Sequence, residues 1–406
     1  PTLIISKSTI GKYAPNKENT SGVHGSPLGE NEFELFLGNI GFSGDPFTHD
    51  SEIYSYFDEK RINDNSKYDQ WKANLESKLQ SDKNFRQLWN QFNDFETSEV
   101  ELEWSSDEAS RVGGGKILKE YGLSNKFIIG GSADLAASTK QIISDNTFGS
   151  NNYGGNSIEF GIREHAMGGI VNGLALHSKL IPYGSTFLVF SDYMRPSIRL
   201  ASLMKVNSLF IFTHDSIYLG EDGPTHQPVE HLMSLRLIPN LDVIRPANNK
   251  ELIHSYRYAL EKRDNPKAII ISRQNMKFFD HDVSYKDFQT GVYEFMAGTD
   301  ITLIATGSEL ELAVEISKKL SDFSVQIISA PILNRLSEER IESLGLSQNI
   351  FTIELGRSIG WDTYIKNINR SFSIDSFGES APIDQLAEKF NFNAEKISNE
   401  IRSLLN

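Results

Sequence analysis

Ile301-Thr-Leu-Ile-Ala305-Thr-Gly-Ser308-Glu-Leu-Glu311-Leu-Ala313-Val-Glu-Ile316-Ser-Lys-Lys-Leu320-Ser-Asp-Phe-Ser-Val325-Gln-Ile-Ile-Ser329 decides the fold. Its first five residues are a β-branched and apolar run, as expected of a strand covered on both faces. After a short turn, Ser308 and Glu311 stand at capping-box spacing, and Ala313, Ile316 and Leu320 fall on one face of the helix that follows. A second such run, Val325–Ser329, closes the unit. Strand, crossover helix and strand in this order make a parallel pair, so the class is α/β.

The same pattern recurs on either side. Residues 127–129, 209–213, 268–272 and 350–355 are short β-branched or aromatic runs, each followed by turn residues and a helical pattern. Two successive parallel-sheet α/β domains are expected, separated by a polar break near 280–287. Residues 56–104 have a different texture, rich in Asp, Asn, Lys, Gln and Trp, and predict a helical linker. The expected division is 1–55, a linker over 56–104, a first α/β domain over 105–285 and a second over 290–406. The chain opens at Pro1 on an apolar, strand-like run, which reads as a start inside a domain or as removal of Met before Pro.

Composition narrows the function. The 406 residues are 39% hydrophobic and 23% charged, an ordinary globular balance, with a formal net charge of −14. Without a net basic balance or a Lys/Arg block, neither a nucleic-acid binder nor a membrane-surface protein is expected. The absence of Cys removes disulfides, thiolate metal sites and Cys nucleophiles, and fits a cytoplasmic protein. No apolar run approaches bilayer-spanning length.

Three segments carry chemistry. In Phe187-Leu-Val-Phe190-Ser-Asp-Tyr193 the aromatic residues recur every third position, which on a helix puts three rings on one face, either a core stripe or a stacking wall for a planar ring. Gly161-Ile-Arg163-Glu164-His165-Ala166-Met167 opens a helix whose apolar face continues through Ile170, Val171 and Leu174. Glu164 is there either a dipole-favoured helix acid or a buried carboxylate for a ligand nitrogen. Thr213-His214-Asp215-Ser-Ile-Tyr-Leu-Gly220-Glu221-Asp222-Gly223-Pro224-Thr225-His226-Gln227-Pro228 follows a strand, where α/β proteins bind ligands, and is too polar and turn-rich for a core element. Imidazoles beside carboxylates suit hydroxyl or phosphate recognition and proton transfer. Zinc is not expected there, because the two His lie twelve apart with no third ligand at a recognised spacing.

Smaller pieces add His24 in Val23-His24-Gly25-Ser26-Pro27-Leu28-Gly29, the strand-end stretch Gly130-Gly-Ser-Ala-Asp134-Leu135-Ala-Ala-Ser138, and Arg111 and Arg273 as a fork for phosphate. Gly113-Gly-Gly-Lys116 is not a phosphate loop, since Ser110 stands where its first Gly is needed. No G-x-G-x-x-G opens a first βαβ unit either, which disfavours a nicotinamide dehydrogenase.

Together Gly-Ile-Arg-Glu-His-Ala-Met, Gly-Glu-Asp-Gly-Pro-Thr-His-Gln-Pro, Gly-Gly-Ser-Ala-Asp-Leu-Ala, His-Gly-Ser-Pro-Leu-Gly and Phe377-Gly-Glu-Ser-Ala-Pro382 resemble the transketolase family, in that family's order. The resemblance implies thiamine diphosphate and a divalent metal, Mg2+ or Ca2+, as cofactors, and transfer of a two-carbon ketol unit between sugar phosphates. It implies that residues 1–55 end a diphosphate-binding domain, that 105–285 bind the pyrimidine, and that 290–406 form the C-terminal domain. The family's Gly-Asp-Gly and Asn metal ligands are not found in this chain, so no metal ligand is expected in it and the chain alone is expected to be inactive.

By the same resemblance Glu164 is the carboxylate that activates the aminopyrimidine, Phe187, Phe190 and Tyr193 form the ring wall, and Asp134 and Leu135 lie beside the cofactor. His226 and His24 polarise the donor, Asp222 contacts the acceptor, and Arg111, Ser138, His214 and Arg273 clamp its phosphate. Val-Gly-Gly-Gly after Arg111 and Ala137 and Thr139 around Ser138 depart from the family pattern, so a distorted helix is expected after Arg111. A homodimer is implied, or a heterotetramer with a separate N-terminal subunit if the enzyme is split. A silent paralogue, a dihydroxyacetone synthase, a deoxyxylulose-phosphate synthase and a 2-oxo acid dehydrogenase β subunit stay open as alternatives.

Overall fold

The computed structural model describes residues 3–45, 47–93, 100, 102, 104 and 106–405. These form two compact units divided between Gln87 and Leu88. The start at Pro1 and the linker's residues 94–99, 101 and 103 lie outside the described residues.

In the first unit the apolar run at Leu3–Ile5 makes no strand; its residues are irregular and exposed, with no strand paired to them among the described residues. A loop follows, tied by Asn16, whose amide and side chain donate to Glu32 (2.8 and 2.9 Å), and by Lys17 Nζ donating to Leu28 O (2.8 Å). Glu32 belongs to α1 (Glu30–Asn39), and α2 (Ser51–Ser81) comes next. No residue of α2 is buried; side-chain pairs one turn apart, such as Lys60–Asp64 and Arg61–Asp58 (both 3.1 Å), lace its surface. The division between the units falls within α3 (Lys83–Asn93).

The second unit holds two large sheets and, among the described residues, a two-stranded antiparallel pair of Glu108–Ala109 with Asn275–Met276. The first comprises β1 (Ile128–Ser132), β2 (Ser157–Glu159), β3 (Ile181–Phe187), β4 (Leu209–Thr213), β5 (Asp242–Ile244) and β6 (Lys267–Ile270), all parallel in the order β2-β1-β3-β4-β6-β5. Every residue of β3 and β4 is buried, as a sheet covered on both faces requires. One cover is α4 (Ser110–Ser124) with α9 (Asn249–Glu261), through Ile117, Leu118, Tyr121, Leu252 and Tyr256. The other is α6 (Glu164–His177), α7 (Ser191–Leu203) and α8 (His231–Arg236), through Met167, Val171, Met194, Ile198 and Leu232. Ile170 is 47% exposed, so the predicted apolar face of α6 is narrower than expected.

The second sheet comprises β7 (Tyr293–Met296), β8 (Ile301–Ala305), β9 (Val325–Ser329), β10 (Ile350–Ile353) and β11 (Ile368–Phe372), in the order β11-β10-β8-β9-β7. The quoted stretch forms β8 and β9, paired in parallel through α10 (Glu309–Lys319), whose Leu310, Ala313 and Ile316 are fully buried. The edge strand β7 runs antiparallel to β9, a departure from the wholly parallel sheet expected. The capping box does not close: Ser308 sits in helical φ/ψ, and its hydroxyl donates to Glu309 Oε2 (3.2 Å) rather than capping the backbone.

Polar ties cross between the two sheets. Arg236 forks onto Glu354 through two 2.8 Å bonds, Arg335 binds Asp242, and Glu251 accepts from Tyr293 and Ser329. Arg245 reaches both Asp215 (2.7 Å) and Glu309 (2.9 Å).

Candidate active site

The carboxyl ends of β3, β4 and β6 carry the site. β3 ends at Phe187, a 3-10 turn holds Phe190, and α7 begins at Ser191, so the three aromatic residues lie on a strand, a turn and a helix rather than on one helix face as expected. Residues 181–187 pair with β1 on one side and β4 on the other, and this pairing overrides the spacing of three. The rings still converge: Phe187 and Phe190 stack at 5.7 Å and 10°, and Phe190 meets Tyr193 at 6.0 Å.

The loop after β4 is a buried polar structure with an exposed tip. His214, Asp215, Ser216, Ile217, Leu219 and Gln227 are buried, whereas Glu221 and Asp222 are exposed. Gln227 holds it, its amide lying 3.2, 2.9 and 2.8 Å from the carbonyls of Ile217, Gly220 and Glu379. The last belongs to the Phe377–Pro382 motif, whose Ser380 hydroxyl donates to Glu221 O. A Cβ at Gly378 would lie 1.9 Å from Gln227 Oε1, so glycine is required for the two segments to meet.

His214 is the first residue of this loop and takes a left-handed φ of 59°, unusual for a residue with a side chain. Its ring stacks on Phe187 at 3.7 Å, its Nδ1 shares a 2.7 Å hydrogen bond with the Thr213 hydroxyl, and the next residue, Asp215, is fixed by Arg245. Burial, and after it the positive charges of Arg111 and Arg273, push the imidazole pKa down to about 3. His214 is therefore neutral at physiological pH. His226 is half-buried, edge-on to Phe187 (6.3 Å) and Phe190 (5.7 Å), with Nδ1 2.9 Å from the Thr225 hydroxyl.

Arg111 and Arg273 come together because the start of α4 is sewn to the end of β6. Ser110 and Ser272 share a 2.9 Å hydroxyl bond, and Arg111 N donates to Ser272 O (3.3 Å). Arg111 Nη1 donates to Ser138 O (2.7 Å), so Ser138 meets the cluster through its backbone. Arg111 Nε is buried without a hydrogen-bond partner among the described residues. Burial first, then the like charge of Arg273, lower its pKa, while Asp222 acts in the opposite sense. An orphaned guanidinium donor beside a second guanidinium suits an anion.

The distorted helix expected after Arg111 is not found. α4 runs unbroken, and its glycines answer to packing: a Cβ would meet Trp104 at 2.1 Å from Gly113, the Tyr256 hydroxyl at 2.4 Å from Gly114, and Lys140 O at 2.3 Å from Gly115.

The other expected residues stand on other elements. Glu164 is the first residue of α6, only 8% exposed, and makes no side-chain hydrogen bond among the described residues; α6 packs on α7. Gly130, Gly131 and Ser132 are inside β1 rather than after it. Asp134 follows, exposed with φ 59°, and lines a cavity of about 620 Å³ with Ser132, Glu159 and Arg163; Leu135 caps a four-residue helix, α5 (Ala136–Thr139). His24 is an exposed turn residue of the first unit. Residues that sequence reasoning missed are Thr213, Asp215, Gln227 and Arg245. The first three lie inside the quoted loop, but Arg245 is fully buried, and only the fold reveals what it binds.

Three family models match the chain: transketolase, thiamine diphosphate binding domain (residues 1–94); transketolase, pyrimidine binding domain (109–278); and transketolase-like TK C-terminal domain (291–393). Transketolases of Staphylococcus aureus (strain MRSA252) and Bacillus subtilis (strain 168) are 38% and 36% identical over 100% of this chain and 64% of their own length. The chain thus spans about two thirds of the length of these relatives. Among solved structures, transketolase from Leishmania mexicana superposes with a TM-score of 0.90 at 29% identity, covering 98% of this chain and 61% of that one. A split gene transketolase described as an inactive beta4 tetramer superposes at 0.61 with 25% identity, covering 73% of this chain and 98% of that one. Among the described residues no helix is long and apolar enough to cross a membrane. In fold, in motif and along its whole length, the chain belongs to the transketolase family.

Proposed function

We propose that this chain provides the pyrimidine-binding and C-terminal parts of a thiamine diphosphate-dependent enzyme that moves a two-carbon ketol unit from a ketose phosphate to an aldose phosphate. The observation that carries this is the convergence of His214, His226, Phe187 and Phe190 with the Arg111–Arg273 pair at one end of the first sheet. The residues fit the cofactor. Stacked rings offer a wall for its pyrimidine, and Glu164, a buried carboxylate with no side-chain hydrogen bond among the described residues, offers an acceptor for a ring N–H. When bound, thiamine diphosphate supplies the carbon nucleophile; Mg2+ or Ca2+ belongs with its diphosphate.

In this reading Phe187, Phe190 and Tyr193 orient the pyrimidine, with Asp134 and Leu135 beside the cofactor, and Glu164 holds a proton at the ring nitrogen. By the family resemblance His226 and His24 take the donor's hydroxyl and carbonyl oxygens, and Asp222 takes a sugar hydroxyl. His214, Arg111, Ser138 and Arg273 receive the phosphate. A neutral imidazole donates to phosphate oxygen without adding a third charge next to two guanidinium groups. The domain division 1–55, 56–104, 105–285 and 290–406, a cytoplasmic location, and a homodimer or a heterotetramer with an N-terminal subunit belong to the same proposal.

The test is ketol transfer from xylulose 5-phosphate to ribose 5-phosphate, with thiamine diphosphate and magnesium, by the whole protein and by this chain with and without an N-terminal diphosphate-binding half. Activity is expected in the whole protein, with Glu164→Gln lowering turnover by about 10²–10⁴-fold and leaving the fold intact. Unchanged turnover in Glu164→Gln would remove the mechanistic assignment, and no transfer by the whole protein would point to a silent relative.

A further inference from the structure

Asp192 is the second residue of α7, and Glu230 and His231 stand at the start of α8. One donor atom from each lies within 4.8 Å of the other two. The imidazole is the fixed member: His231 is 5% exposed, whereas the Asp192 and Glu230 side chains are 59% and 57% exposed and free to adjust. Its Nε2 lies 3.2 Å from Asp192 Oδ2, a hydrogen bond that places the proton on Nε2 and leaves Nδ1 as a lone pair. That nitrogen is buried and has no hydrogen-bond partner among the described residues, and Glu230 Oε2 stands 3.8 Å away. A lone pair facing a carboxylate is an acceptor facing an acceptor, and a positive species between them resolves it. Arg195, one turn along α7, does not supply it, because its guanidinium is held by Ser234 through bonds of 2.5 and 3.0 Å.

We propose that Asp192, Glu230 and His231 form a binding site for a divalent transition cation, with Nδ1 of His231 and the Glu230 carboxylate as ligands and Asp192 bracing the imidazole from behind. A buried His donor with carboxylate oxygen suits zinc, cobalt or nickel rather than the harder magnesium and calcium. Metal–donor bonds of about 2.0–2.2 Å set ligand atoms somewhat over 3 Å apart, so a small swing of the exposed Glu230 side chain closes the site and water completes the shell. A carboxylate on the far ring nitrogen is the usual means of fixing tautomer and ring orientation. The cation would tie α7 to α8 next to Tyr193, and the site stands apart from the ketol-transfer reading.

The experiment is titration of the chelator-treated full chain at pH 7.5 with zinc and, separately, cobalt(II). Zinc is expected to raise the thermal midpoint and cobalt to give a visible d–d band, both saturating at one equivalent. His231→Gln should abolish both signals. Should that variant fail to fold, Glu230→Gln, at an exposed side chain, should still weaken cobalt binding by at least tenfold, and Asp192→Asn by less. No shift and no band, or signals unchanged in Glu230→Gln and His231→Gln, would overturn the site. A protonated His231 bridging the two carboxylates would instead leave the protein with no response to zinc or cobalt, and that result also overturns it.

Discussion

His214 shows how much one residue depends on its surroundings. Its pKa lies near 3 in the folded chain against about 6.5 when unfolded, so the unfolded state binds the proton more readily. The stability it contributes is complete above about pH 6.5 and is lost as pH falls toward 3, with a slope of at most about 1.4 kcal/mol per unit. Urea midpoints at pH 7 and pH 5 are expected to differ less in His214→Asn, which also accepts the left-handed φ; an equal fall in both proteins would show that burial of His214 does not govern the slope. The glycines of α4 offer a second case. Gly→Ala inside a helix normally gains about 1 kcal/mol, but at Gly115 the new methyl would lie 2.3 Å from the Lys140 carbonyl, which is backbone and cannot swing away. Overpacking costs about 1–3 kcal/mol, so Gly115→Ala should lower the thermal midpoint despite the better propensity.

At the scale of elements, the loop 214–228 is held to the 377–382 segment chiefly by one amide. Gln227→Ala removes three donor contacts to carbonyls and exposes the loop's interior, and should make Gly220–Gly223 a preferred site of limited proteolysis while the sheets stay intact. An unchanged cleavage pattern would show that the loop does not depend on the Gln227 amide. What the sequence disclosed of these elements follows from the same physics. β4, β8 and β9 were legible to the residue, because a run buried on both faces admits one reading. Phe187, Phe190 and Tyr193 share a spacing of three that suits a helix stripe, and only the pairing of Phe187's strand with β1 and β4 decides between the periods. His214 and His226 stand out as candidates because polar, turn-rich loops at strand ends have little structural use, and the fold brings Phe187, Arg111 and Arg273 to the same end of the sheet. Arg245 and Gln227 act through partners distant in the chain, which spacing does not reveal.

At the scale of the whole molecule, the chain carries a net charge of −14 and yet gathers Arg111 and Arg273 at one end of a sheet, so any anion selectivity is local rather than a property of the overall charge. Acidic groups are spent elsewhere, among them Glu354 and Glu309, which meet Arg236 and Arg245 between the two sheets. Burial opposes the charge on Glu354, but Arg236 outweighs it and holds the carboxyl at about 2; on Glu309 burial prevails and raises the pKa despite Arg245. A buried pair of this kind is costly to break, because removing one partner strands the other, at about 3–5 kcal/mol. The two sheets should therefore unfold as one. Single-tryptophan variants can test this, since Trp361 is buried in the second sheet's core and Trp104 packs against the first sheet's α4. In urea the two probes are expected to share one midpoint. In Arg236→Met the Trp361 transition should move to lower urea by more than the Trp104 transition, because Glu354 is left charged beside Trp361 Nε1, 3.1 Å away. Replacing both partners, as in Arg236→Met with Glu354→Leu, should cost less than the two single changes added together. Separate midpoints in the unaltered protein would mean that the ionic ties do not couple the sheets.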